Sequence, residues 1–127
     1  MNCESSEEDV PMNHKELDVW KEAMILVEEI YELTKSLPKE ELFNLSNQIR
    51  RAAVSVPSNI SEGCARKSDK ELLNFCFIAL GSLAEIETQL IFMNRIYHTV
   101  VNEGLIQTEK TKQILLGFIR YIKAKKN

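Results

Sequence analysis

Glycine and proline are scarce. The 127-residue chain holds 4 and 3 of them, so few turns are punctuated and long uninterrupted elements are expected. The four glycines, Gly63, Gly81, Gly104 and Gly117, stand far apart, which excludes a glycine-rich phosphate loop. Cys3, Cys64 and Cys76 are odd in number and show no Cys-x-x-Cys spacing. Neither a disulfide framework nor a structural zinc site is indicated, and Cys76, inside an apolar run, reads as a small core residue. The longest strictly apolar run, Phe75 to Leu80, has six residues, far short of the about 20 that span a bilayer. The N-terminus has no basic segment followed by an apolar one, so it does not read as a signal peptide. The expectation is a cytoplasmic protein without membrane association.

Catalytic side chains are equally sparse. His14 and His98 are the only histidines, and neither completes a Glu-x-x-His, so the di-iron chemistry of some helical bundles lacks its ligands. His98 lies three residues after Arg95 and reads as a solvated helix-end residue. The Arg-x4–6-His spacing of helical ribonucleases does not occur. Glu85 and Glu87 fall about 200° apart on a helix and cannot work as an acid/base pair. No cofactor or metal is implied, and an enzyme is not expected.

What the chain does have is helical periodicity. Hydrophobic residues make up 44% and charged residues 28%, a globular composition. Residues 1–13 are polar, acidic and aperiodic, and read as a disordered tail. Residues 14–127 read as one bundle, with helices at about 16–37, 39–65 (Leu45 being the alternative start), 68–103 and 108–124. In the first, Trp20, Ala23, Val27, Ile30, Thr34 and Leu37 recur at helical steps, and Pro38 closes it. The second carries the stripe Leu42, Leu45, Ile49, Ala52, Val56 and Ile60. Pro57 in its middle removes one backbone hydrogen bond at a cost of about 3 kcal/mol and predicts a kink. Around it lie Ala52, Ala53, Ser55, Ser58, Ser61 and Gly63, small residues that suit either a contact between subunits or a tight crossing within one.

The third helix opens on Ser68-Asp69-Lys70-Glu71, a capping box. Its stripe runs Leu72, Cys76, Ala79, Leu83, Ile86, Leu90, Met93 and Tyr97, and a second row holds Leu73, Phe77, Leu80, Ala84 and Ile91. A helix apolar on two sides is central to a bundle or shared with a neighbouring subunit. Asn102-Glu103-Gly104 is read as its stop. The fourth has Leu115, Phe118, Ile119 and Ile122 inward and ends in Lys123, Lys125 and Lys126, cations suited to the negative end of the helix dipole. No strand alternation occurs. The fold class is all-α, an antiparallel up-and-down four-helix bundle.

The formal charge of −3 conceals an asymmetry. Residues 1–41 hold 12 acids and 4 bases, residues 42–127 hold 7 acids and 12 bases. Bulk charge does not favour coating nucleic acid, but a local patch does. The candidate nucleic-acid-binding residues are Arg50 and Arg51 on the second helix, and Arg66, Lys67 and Lys70 at the following turn. The competing role for Arg50 and Arg51 is pairing with Glu28, Glu29 and Glu32 of the first helix. No aromatic residue interleaves with these bases in sequence to form a stacking platform.

Two segments carry a resemblance. Gln48 to Gly63, reading QIRRAAVSVPSNISEG and followed by Arg66, is one. Phe77 to Leu90, reading FIALGSLAEIETQL, is the other. Together they resemble the bacterial four-helix-bundle proteins encoded within intervening sequences of 23S ribosomal RNA genes, the S23 ribosomal protein family, over about Leu17 to Lys123. That family is similar to the accessory variability protein of diversity-generating retroelements, a pentamer whose basic surface binds nucleic acid and a reverse transcriptase. The resemblance implies a ring-like homopentamer. Arg50, Arg51 and Arg66 fall in the motif, while Lys67 and Lys70 are added from charge alone. Asn59, Glu62, Ser82 and Glu85 match motif positions as polar contacts between helices. After Ile96-Tyr97-His98 the chain departs from the family's short turn, and a longer connection is expected. The function expected is a non-enzymatic oligomeric binding protein for structured RNA or DNA. The alternative is an adaptor for a protein partner such as a polymerase, without nucleic-acid contact.

Overall fold

The computed structural model describes residues 12–125. Most of the acidic tail and Lys126 lie outside them. Four helices follow in order: α1 Asp18–Thr34, α2 Leu45–Cys64, α3 Asp69–Tyr97 and α4 Asn102–Ala124. The described residues contain no strand. α1 and α3 each pack on both α2 and α4, and opposite helices do not approach. Neighbours run antiparallel. Arg50 of α2 meets Tyr31 and Thr34 near the end of α1, Gly63 meets Leu72 and Phe75 at the start of α3, and Lys125 meets Asp69.

Each helix buries the stripe its period provides. Val19, Ala23, Leu26, Ile30 and Thr34 of α1 face inward, as do Ile49, Ala53, Val56 and Ile60 of α2. Leu83, Ile86, Leu90 and Met93 of α3 meet Leu115, Ile119 and Ile122 of α4 in the same core. At about 1.5–3 kcal/mol per fully buried aliphatic side chain, this core is the main stabilising term. α2 continues through Pro57 without interruption. Four of its small residues serve a crossing within the subunit: Ala52 and Ala53 are buried, the Ser55 and Ser82 hydroxyls hydrogen-bond across to α3, and Gly63 lets α3 approach, whereas Ser58 is exposed and Ser61 bonds within α2.

The helix boundaries depart from the sequence expectations in two places. α2 begins at Leu45, the later of its two expected starts and not at 39, because residues 39–41 form a separate 3-10 turn. The Glu41 carboxylate accepts from the Leu45 N–H at 3.2 Å and from the Tyr97 hydroxyl, tying this connection to α3. Leu42, assigned to the inner stripe, is 48% exposed. At the other site, α3 ends at Tyr97, since His98 adopts a left-handed φ of 58° and donates its N–H to the Asn94 carbonyl. Asn102-Glu103-Gly104 is then the first turn of α4, and the connection is short. Gly104 is a packing residue: a Cβ there would lie 2.7 Å from Leu33 Cδ1. The order also starts earlier than His14, because Asn13 caps a 3-10 turn at His14–Glu16 and Met12 packs on the core.

The α3 cap forms largely as expected. Ser68 Oγ accepts from the Glu71 N–H at 3.1 Å, while the Glu71 carboxylate returns to the serine hydroxyl instead of its backbone. The subunit absorbs only part of the second apolar row of α3: Leu73 and Leu80 pack against the core, while Phe77, Ala84 and Ile91 stay exposed, beside Ile78, Phe92 and Ile96. Phe77, Ile78, Ile91, Phe92 and Ile96 are 40–59% exposed.

Candidate nucleic-acid interface

The five candidate cations do not converge. Arg50 lies near the start of α2 and Arg66 just beyond its last residue, Cys64, which is roughly 21 Å along the axis from Arg50 at about 1.5 Å per residue, so the cations form two clusters at different ends of α2.

Successive residues on a helix project about 100° apart, and Arg50 and Arg51 take different roles accordingly. Arg50 is half-buried. Its Nε donates to Thr34 Oγ1 at 2.8 Å and its guanidinium lies 4.7 Å from the Tyr31 ring centroid. The Thr34 hydroxyl donates onward to the Ile30 carbonyl at 2.9 Å, so this buried group is satisfied on both sides. Arg50 thus ties α2 to α1, as the structural alternative required, but through a hydroxyl and a ring. Glu32 pairs instead with Lys35 at 3.2 Å. Arg51 is exposed and makes no ion pair among the described residues. Both arginines border a shallow depression of about 620 Å³, together with Tyr31, Phe43, Asn47 and Val54.

At the α2–α3 turn, Arg66 is largely neutralised. It contacts Glu62 at 2.6 Å and Glu71 at 3.9 Å, and its guanidinium sits 5.0 Å from the Phe75 ring. Lys67 and Lys70 are exposed, with no ion pair among the described residues. The antiparallel topology adds the end of α4: Lys125 pairs with Asp69 at 3.8 Å, and Lys123 lies 5.5 Å from the Phe77 ring. Read along the chain, these lysines are only a solvated helix end.

Aromatic rings do accompany the bases in space, contrary to their absence in sequence. Tyr31 and Phe43 flank the first cluster, and Phe75 and Phe77 flank the second. No one-dimensional signal pairs Arg50 with Tyr31 or Arg51 with Phe43; helix packing and the 35–44 connection bring them together.

The four polar motif residues divide. Ser82 bridges α3 to Ser55 of α2. Asn59 and Glu62 bond within α2 or to its end, to the Ser55 carbonyl and to Arg66. Glu85 accepts from Gln89, whose amide also donates to Gln48 across the α2–α3 interface at 3.4 Å. Gln89 Oε1 is buried and has no hydrogen-bond partner among the described residues.

Residues 15–117 match the model of the family described as 23S rRNA-intervening sequence protein. No curated protein matches the chain. Among solved structures, the chain is similar to the crystal structure of a protein of unknown function from the S23 ribosomal protein family of Bacteroides thetaiotaomicron VPI-5482. The TM-score is 0.73 at 24% identity, covering 86% of this chain and 99% of that one. That likeness establishes a shared fold.

Proposed function

The chain belongs to the 23S rRNA-intervening sequence protein family, and from that footing we propose that it is a non-enzymatic oligomeric protein that holds structured RNA or DNA on basic patches repeated around a ring of subunits. The observation that carries the reading is that three of the five candidate cations, Arg51, Lys67 and Lys70, are exposed and make no ion pair among the described residues. A single subunit offers few phosphate contacts, and each is weak at physiological salt. Assembly into a pentamer multiplies them through effective concentration. The exposed outer row of α3, with Gly81 and Ala84 between its large side chains, supplies an apolar surface for such assembly.

That same apolar surface favours a second reading, an adaptor whose partner is a protein such as a polymerase. A partner that stays bound after nuclease treatment, with no nucleic-acid complex formed by the pure protein, supports the adaptor.

Light scattering coupled to size exclusion, with and without a structured RNA, tests the main reading. The expected result is a particle of five 14.6 kDa subunits that shifts with RNA at low salt. The complex should weaken as salt is added and in the Lys67→Glu/Lys70→Glu variant. A monomer that ignores RNA and DNA refutes it.

A further inference from the structure

The depression beside Arg51 combines features that a phosphate contact alone does not require. Phe43 is 89% exposed, and Leu42 and Val54 beside it are 48% and 40% exposed. A ring this open adds little to the core, since most of its apolar surface stays in water. No carboxylate lines this depression itself, and Glu85 lines the adjoining one that shares Asn47, Arg51 and Ser55, so both guanidinium groups face the depression without an ion pair there. Arg50 is held in place by Thr34 and Tyr31 through its Nε and its planar face. Its remaining N–H groups are therefore presented with little entropy left to lose. Asn47 adds an amide able both to donate and to accept.

A ligand that matches all of this has a flat aromatic face, an anionic group close to it and a polar edge. We propose that the depression is a subsite for one unpaired nucleotide of single-stranded or looped nucleic acid, its base against Phe43 and its phosphate on Arg51 and Arg50. Base stacking on an aromatic side chain with the backbone in a positive groove is the recognised logic of single-strand binding. A fully paired duplex cannot use it, because its bases are already stacked; it would meet only the arginines. This inference rests on the nucleic-acid reading above and narrows it to unpaired bases.

Fluorescence anisotropy with two labelled RNAs tests it, one a hairpin with a flexible loop and one a blunt duplex of the same stem. Phe43 is almost fully exposed, so Phe43→Ala should fold normally, which circular dichroism checks. The expected result is a loss of about tenfold in affinity for the hairpin, with the duplex affinity unchanged. Phe43→Trp should keep hairpin binding, and Arg51→Gln should weaken both RNAs. If RNA binds and Phe43→Ala changes nothing, the subsite is wrong while the wider reading stands. If the wild-type protein binds neither RNA nor DNA at low salt, the wider reading fails and the subsite fails with it. A protein that ignores nucleic acid yet binds an acidic peptide through Phe43 assigns the depression to a protein partner and overturns the proposal.

Discussion

Replacing glycine by alanine at two helical positions should have opposite effects. In Gly63→Ala, the new Cβ would lie 2.9 Å from Leu72 Cδ1, 2.9 Å from Phe75 Cβ and 3.3 Å from the Leu72 carbonyl oxygen. The leucine methyl can rotate away. The Phe75 Cβ and the carbonyl are fixed to the α3 backbone, so α2 and α3 must separate. Overpacking of this kind costs about 1–3 kcal/mol, against a gain of up to about 1 kcal/mol from alanine's helix preference. The gain is smaller here because Gly63 sits one residue from the end of α2. The net expectation is a loss of about 1–2 kcal/mol. In Gly81→Ala, nothing lies within 4 Å of the new Cβ, and the residue is in the middle of α3, so the variant should gain about 0.5–1 kcal/mol. Urea unfolding followed by helical circular dichroism, over a range of protein concentrations, measures both; in heat each kcal/mol moves Tm by about 4 °C. An unchanged Gly63→Ala would show that the α2–α3 approach relaxes freely. A destabilised Gly81→Ala at dilutions where the protein is monomeric would refute the reasoning. A variant that is stabilised as a monomer but fails to assemble would instead place the outer row of α3 at the subunit contact.

Two further outcomes are expected. Cys64 and Cys76 are buried, and desolvation pushes their thiols up to about 11 and about 12. In a Cys3→Ser background neither should react with a disulfide reagent at pH 8 until urea unfolds the chain; fast native-state labelling would contradict the packing of α2 on α3. The hydrogen bond from Tyr97 to Glu41 raises the phenol to about 12, with burial second, and lowers the carboxyl of Glu41. Tyr97's contribution is therefore complete below its ordinary value near 10 and is lost as pH rises from there to about 12. Glu41's is present above 4.5 and is lost as pH falls below it. Tyr97→Phe should lower the urea midpoint at pH 7 and flatten its fall at both extremes; an unaltered pH profile would exclude the pair as a stabilising contact.

The number of helices and most of their inner faces were legible because a 3.6-residue period is imposed by burial itself, as in Leu72 to Met93. The Ser68 cap was legible because its signal is local. The boundaries near 39–44 and 98–104 were not. A glycine after a helix commonly marks its left-handed exit, but here His98 takes that conformation and Gly104 is demanded by the Leu33 side chain of another helix. Tertiary packing decides both. The candidate cations were found from charge, but their division of labour was not. Arg50 and Arg51 differ only by a 100° rotation, and which one meets Thr34 depends on where α1 stops. The rings beside them, Phe43 and Tyr31, come from 7 to 20 positions away in the sequence.

The square arrangement also has a kinetic consequence. Three of the four helix interfaces join helices consecutive in the chain, and the α2–α3 and α3–α4 links are each four residues long. Each of these pairs can form with little loop-closure entropy lost. Only the α1–α4 interface requires the whole chain to come together. Low contact order of this kind belongs to chains that fold in microseconds to milliseconds, and it makes α1–α4 the seam that closes last.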